Sequence, residues 1–313
     1  MLKIGIDLGG TNIAAGIVDE NGTIRYKRSV PTGAGRPSDA IIEDIAANCR
    51  ALCAENGIDF AKIASVGIAV PGGVDEESGE ILFTPNIPFT GINIAKVLSE
   101  KLDGKRVGVC NDANAATIAE VLAGAAKGAN NAVMITLGTG VGGGIVIDKK
   151  IYSGSNGLAG ELGHFVIQMG GEKCGCGRRG CFEAYASGTA LIRMTKEELN
   201  TCFMTGEATL MAESGRVSAR TAFDAFKEGD AAAARVIERY TDALASGIIS
   251  LINIFQPDVF IIGGGISGEG QFLVDLLQPK VDAEEFSRDA KKRARLCTAT
   301  CGNDAGIIGA ALA

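Results

Sequence analysis

Basic charge is in short supply in this 313-residue chain: 30 Lys and Arg stand against 37 Asp and Glu, for a net charge of −7. That counts against nucleic-acid binding as the main activity, because a phosphate backbone needs a basic surface. The one compact basic group, Lys291, Lys292, Arg293 and Arg295, reads as a solvated face. Long apolar runs are also missing. The longest lies around Ile248–Phe255, too short to span a bilayer. The first ten residues, MLKIGIDLGG, carry one positive charge and no apolar stretch before the glycines, unlike a secretory signal. A cytoplasmic protein with neither membrane nor nucleic-acid partners is therefore expected. Cysteines stay reduced in that compartment, and their number, nine, is odd, so no disulfide framework is expected. Near the N-terminus there is no P-loop, and no G-x-G-x-x-G turn between strand and helix. Histidine occurs once, as His164.

That histidine sits in the most unusual stretch of the chain, Glu161 to Glu183, with Cys174, Cys176 and Cys181 in a glycine-rich loop. Imidazole nitrogen and thiolate sulfur are the ligands a tetrahedral zinc prefers. A lone histidine is otherwise a core residue, and cysteines are often small apolar fillers. Four such groups within eighteen residues favour zinc. With four protein ligands the metal is expected to be structural, since no coordination position is left open for chemistry.

Glycine is abundant, 44 residues, about twice the usual ~7% share, so many backbone positions need positive φ or close approach. The length suits two domains. Residues 2–7 read as a buried strand, Asn12–Val18 as a second, and Thr23–Val30 as a third after the Asn21-Gly22 turn. A helix is predicted over Ser38–Asn56, where Ile41, Ile45, Cys49 and Leu52 recur at helical spacing. Ile63–Val70 and Arg106–Cys110 read as strands, with a helix near Ile94–Leu102 between them and another over Ala113–Ala126. A second hairpin follows: strand Ala132–Leu137, the turn GTGVGGG, and strand Ile145–Ile147. It echoes the first, ITLGTG against IDLGGT. Beyond the Cys-rich loop, helices are predicted over Ser218–Lys227 and Ala231–Phe255. Strands near Val259–Ile262 and Arg295–Ala299 follow, with helices near Phe272–Leu277 and over Ala305–Leu312. Strands alternating with helices imply an α/β sheet.

The glycine turns carry the chemistry. Backbone N–H groups of Gly9 and Gly10 can face a phosphate, and Thr11 can add a hydroxyl. Asp7, at the strand end, is placed to hold Mg²⁺ through water. Gly138–Gly144 and Gly263–Gly265 offer two more such surfaces. Glycine turns also merely connect strands, but three of them follow buried strands here. Asp112 lies between a strand end and a helix start. It reads both as a helix N-cap and as a general base that takes a hydroxyl proton as a phosphoryl group arrives. Asn111 beside it suits a polyol hydroxyl.

At these residues the chain resembles the ROK family of bacterial sugar kinases, within the actin-like ATPase clan. The resemblance covers essentially the full length, through DLGGTN (7–12), PGG (71–73), PNIPF (85–89), NDANAA (111–116), LGTGVGGG (137–144), ELGH (161–164), CGCGRRGCFE (174–183) and GGGIS (263–267). Glucokinases are the members it looks most like. The resemblance implies a two-lobed actin-like (RNase H-like) α/β fold with a cleft and a zinc loop. Residues 1–112 with 303–313 would form a small lobe, and 113–302, including the zinc loop 161–183, a large one. It implies ATP-dependent phosphorylation of a hexose at the 6-hydroxyl, with Mg²⁺ catalytic and Zn²⁺ structural, and a homo-oligomer, dimer or tetramer. Asp112 would be the base. Gly72, Asn86, Asn111, Asp112, Glu161, His164 and Glu183 would contact the sugar. Asp7, Gly9, Gly10, Thr11, Asn12, Gly138, Thr139 and Gly140 would hold the phosphates, with Gly264 and Gly265 on the adenosine side. His164, Cys174, Cys176 and Cys181 would bind zinc. Asn12 departs from a position where relatives often carry Lys, which bears on phosphate contact strength.

Glucose is the expected substrate; N-acetylmannosamine, N-acetylglucosamine, fructose, mannose and allose are the alternatives. ROK repressors share the sugar pocket and zinc loop, but carry an N-terminal helix-turn-helix for which the first turn, at Asp7, leaves no room. A sugar- or nucleotide-binding module without turnover is disfavoured by the presence of both Asp7 and Asp112.

Overall fold

The computed structural model describes all residues, 1–313. In chain order the elements are β1 (Leu2–Leu8), β2 (Asn12–Val18), β3 (Ile24–Pro31), α1 (Ser38–Glu55), β4 (Ile63–Val70), β5 (Gly73–Asp75), β6 (Glu80–Phe83), α2 (Ile94–Lys101), β7 (Val107–Asn111) and α3 (Asp112–Leu122). There follow β8 (Ala132–Leu137), β9 (Val141–Ile147), β10 (Lys150–Ile151), α4 (Glu183–Ala186), α5 (Gly188–Thr205), α6 (Thr221–Lys227), α7 (Ala231–Phe255), β11 (Val259–Gly263), α8 (Gln271–Glu284), β12 (Arg295–Thr298) and α9 (Ala305–Leu312). The chain divides into two compact units. One holds residues 1–130, 144–160 and 300–313; the other holds 131–143 and 161–299. The sequence reading put the first boundary at Asp112. In the structure α3 belongs to the first unit, where it packs on α9 and its Ala119 is buried with Ala305 and Ile308.

The first unit is built on a five-stranded sheet of order β3-β2-β1-β4-β7, antiparallel from β1 to β3 and parallel from β1 to β7. One face carries Ile4, Ile6, Ile13, Val66 and Ile68 into a core with Ile41, Ile42, Ile45 and Leu98 of α1 and α2. On the other face glycines lie side by side across four strands: Gly16 opposite Gly5, Gly5 opposite Gly67, Gly67 opposite Gly108. Helix α9 lies in the trough they leave. A Cβ on Gly5 would overlap the carbonyl oxygen of Ile307, and one on Gly67 that of Ala310. These are backbone-to-backbone contacts, closed to every other residue.

A buried carboxylate fixes the approach to α9. Glu120 of α3 is fully buried and accepts hydrogen bonds from the N–H groups of Thr300 (2.8 Å), Cys301 (2.6 Å) and Ala125 (2.7 Å). Four donors, counting the Thr300 hydroxyl at 3.2 Å, satisfy a charge that would otherwise be costly to bury.

In the second unit β8, β11 and β12 run parallel, with Phe260, Ile261 and Ile262 fully buried in the middle strand. β9 follows β8 across the glycine turn and starts at Val141, four residues before the predicted strand. Its glycines are strand residues that allow close neighbours rather than a long turn. Helix α5, with Ser187 as N-cap, was not distinguished in the sequence, nor was the short pair β5–β6. The long helix α7 matches its predicted span and buries Val236, Tyr240, Leu244, Ile248 and Leu251. No helix is long and apolar enough to cross a membrane.

The glycine row gives a paired test. Gly67→Ala should cost more than about 3 kcal/mol in urea unfolding, or prevent folding, because neither backbone can yield. Gly108→Ala, in the same row with nothing within 4 Å of its Cβ position, should stay within about 1 kcal/mol of wild type.

Candidate active site

In the first unit, β1 delivers Asp7 and opens into the turn Gly9–Thr11. That turn is closed by Gly9 N–H to Asn12 O (2.9 Å) and by the Thr32 hydroxyl to Gly9 O (2.6 Å). Gly10, Thr11 and Asn12 are exposed. Asn86 borders the turn: a Cβ on Gly10 would lie 3.7 Å from the Asn86 Cβ. On the parallel side, β7 ends at Asn111 and α3 begins at Asp112.

The N-cap of α3 is Asn111. Its Oδ1 accepts from Ala113 N–H (2.8 Å) and Asn114 N–H (3.1 Å), and its Nδ2 donates to Gly72 O (2.8 Å). Asp112 therefore occupies the first helical position with its side chain exposed, and one of its oxygens accepts from its neighbour Ala113 N–H at 2.8 Å. Of the two roles open to Asp112, its neighbour has taken the cap.

Asp7 and Asp112 repel each other. Burial, and then the charge of Asp112, push the Asp7 carboxyl up to about 6. Part of that burial comes from α9, whose Gly306 lets the helix approach until a Cβ there would sit 2.7 Å from Asp7 Oδ2. A pair of like charges held beside the Gly9–Thr11 turn is an arrangement that a divalent cation stabilises.

In the second unit the turn Gly138–Gly140 borders a cavity of about 560 Å³. Its lining includes Gly138, Thr139, Thr189, Arg220, Gly265 and Glu269. The N-terminus of α5 is fixed to the turn, Gly188 N–H donating to Gly138 O (2.8 Å) and the Thr189 hydroxyl to Thr139 O (2.7 Å). Gly264 has φ +80°, and a Cβ on it would press on the backbone of Leu137, so this glycine brings β11's end against β8's. Thr189, Arg220 and Glu269 were not singled out in the sequence. The Ser187-Gly188-Thr189 cap ahead of an apolar helix was a usable signal for the first of them.

The Cys-rich loop brings His164, Cys174, Cys176 and Cys181 together, with ligand atoms all within 4.8 Å of one another. His164 Nδ1 lies 3.6 Å from the Cys174 sulfur, and the sulfurs of Cys176 and Cys181 are 3.7 Å apart. Burial, and then hydrogen bonding with Cys176, Glu183 and Cys181, push the Cys174 thiol up to about 12. One nitrogen and three sulfurs at this spacing fit zinc. Phe182, fully buried, packs its ring on Gly247 of α7 and anchors the loop. Glu183, one of the two carboxylates expected to meet a sugar, accepts from Val141 N–H (3.0 Å) with Oε2 and from the Cys174 thiol (3.3 Å) with Oε1. Glu161 is exposed, and its carbonyl accepts from His164 N–H (3.1 Å).

Two hairpins with glycine turns, one flanked by a carboxylate pair and the other by a cavity, define a phosphotransferase of the actin-like ATPase class. The ROK family profile matches residues 3–313, and the chain belongs to that family. It is 36% identical to a glucokinase of Thermotoga maritima over 309 residues, 98% of this chain and 95% of that one. It is 32% identical over 315 residues to an N-acetylmannosamine kinase of Haemophilus influenzae, 99% of this chain and 94% of that one. Among solved structures, a ROK glucokinase from Streptomyces griseus in complex with glucose and AMPPNP superposes with a TM-score of 0.80 at 35% identity, covering 99% of this chain and 98% of that one.

The raised Asp7 gives a signed prediction. Below about pH 3 its carboxyl is neutral in folded and unfolded chains alike. Between pH 4 and 6 the folded chain keeps a proton that the unfolded chain gives up, so stability falls as pH rises. Asp7→Asn should therefore be more stable than the metal-free wild type by about 3 kcal/mol at pH 7.5, with no difference below about pH 3. Urea titrations at the two pH values check this.

Proposed function

We propose that the protein transfers the γ-phosphoryl group of ATP to the 6-hydroxyl of a hexose, with glucose the preferred acceptor. The observation that carries this reading is the pair Asp7–Asp112, with Asp112 relieved of capping by Asn111. Glucokinase relatives at this identity and coverage support the acceptor.

Asp112 takes the proton of the sugar 6-hydroxyl as its oxygen attacks the γ-phosphorus, and the bridging oxygen departs with ADP. The turns Gly9–Thr11 and Gly138–Gly140 offer backbone N–H groups to the phosphates, with Asn12 at the edge. The cavity beside Gly265 is sized for a nucleoside. Mg²⁺, held near Asp7, would spread the charge of the transferring group; the raised Asp7 supports a cation there.

Asn111, with one amide hydrogen beyond its bond to Gly72, joins Asn86, Gly72, Glu161, His164 and Glu183 as the sugar-contacting set. His164, Cys174, Cys176 and Cys181 would hold a structural zinc. With His164 Nδ1 turned to the sulfurs, the metal would fix the tautomer, leaving Nε2–H for a sugar hydroxyl.

Similarity to an N-acetylmannosamine kinase favours that sugar as the second acceptor to try. A coupled ADP-release assay over a hexose panel decides between them, with kcat/KM for glucose expected to be highest. Asp112→Ala should fold and bind sugar, yet lose about 10²-fold or more in kcat. Retention of more than a few per cent of kcat would remove Asp112 as the base.

A further inference from the structure

The metal cluster and the second glycine turn are joined with no slack. Gly163 lies against Val141, where a Cβ would overlap the Val141 carbonyl oxygen. Gly143 faces Leu162, whose side chain would lie 2.6 Å from a Cβ there. Gly140 faces Glu183, with no room for a methyl group between them. Glu183 spans the two parts directly, as Oε2 binds Val141 N–H at 3.0 Å and Oε1 lies 3.3 Å from the Cys174 sulfur. Val141 is the residue that ends the turn lining the nucleotide-sized cavity. Any movement of Cys174 or of the Leu162–His164 segment is therefore passed to the backbone of that turn. Packed contacts of this kind shift as a unit rather than deform gradually.

We propose that Glu183 is a positioning residue that couples the His164–Cys174–Cys176–Cys181 cluster to the Gly138–Gly140 turn, so that metal occupancy sets how tightly nucleotide phosphates are held. This rests on the kinase reading above, and it assigns Glu183 a task on the nucleotide side in addition to the sugar side. Coupling of two binding sites is reciprocal, so the nucleotide must tighten metal binding by the factor by which metal tightens nucleotide binding.

The test uses the full chain loaded with zinc. Zinc affinity is measured by competition with a chelating dye, with and without saturating AMPPNP and Mg²⁺. Nucleotide affinity is measured separately by calorimetry on the zinc-loaded protein. AMPPNP should raise zinc affinity at least about fivefold in wild type. Glu183→Ala, and Glu183→Asp, which keeps the charge but is one methylene too short for both contacts, should lose that shift. The Asp variant guards against a simple folding defect in the Ala variant. Zinc affinity indifferent to AMPPNP in wild type, or a full wild-type shift in either variant, overturns the coupling. Zinc-loaded wild type that binds no AMPPNP at all sinks the kinase reading itself, an outcome separable from the other two.

Discussion

Backbone in contact with backbone is the constraint on which the rest of this molecule depends. In the first unit the glycines of β1, β2 and β4 clear a trough in which α9 lies directly on the sheet. That places Gly306, in the first turn of α9, against the Asp7 carboxyl. The approach of one short helix thereby contributes to the desolvation of the carboxylate beside the Gly9–Thr11 turn. Glu120 secures the same helix from behind by holding Thr300 and Cys301 just ahead of it. A methyl group on Gly5 or Gly67 would push α9 away and alter the site as well as the core.

The Asp7–Asp112 pair is kept at the expense of stability. Two carboxylates near one another, one largely buried, destabilise the metal-free fold at neutral pH. Asn111 makes the arrangement possible. By capping α3 and holding the Gly72 carbonyl, it fixes the β7–α3 corner and leaves Asp112 turned outward.

In the second unit the Cys-rich loop is more than a staple. Phe182 ties it to α7 through Gly247, while Gly163 and Glu183 tie it to β9. The His164–Cys174–Cys176–Cys181 cluster, Glu183 and the start of β9 thus share one stretch of packed backbone.

Much of this was legible in the chain. Apolar patterns located β1 to β4, β7, β8, β11 and β12 and helices α1 and α7, because burial of one face imposes its period on the sequence. The turns at Gly9–Gly10 and Gly138–Gly140 showed as glycines following buried strands, and the ligand set showed as histidine and cysteine crowded into one loop. Other features depended on neighbours distant in sequence. That Asn111 rather than Asp112 caps α3 was decided by where the Gly72 carbonyl lies. That Gly143 and Gly144 extend a strand was decided by Leu162 packing on the one and Thr117 on the other. Thr189, Arg220 and Glu269 line a cavity only because α5, α6 and the segment after β11 converge there. The sequence by itself determined which residues could do phosphoryl chemistry and bind metal, since those are properties of the side chains. Tertiary structure alone decided which carboxylate is raised, which residue is spent on capping and which glycine is irreplaceable, since those depend on what a fold brings within a few ångströms.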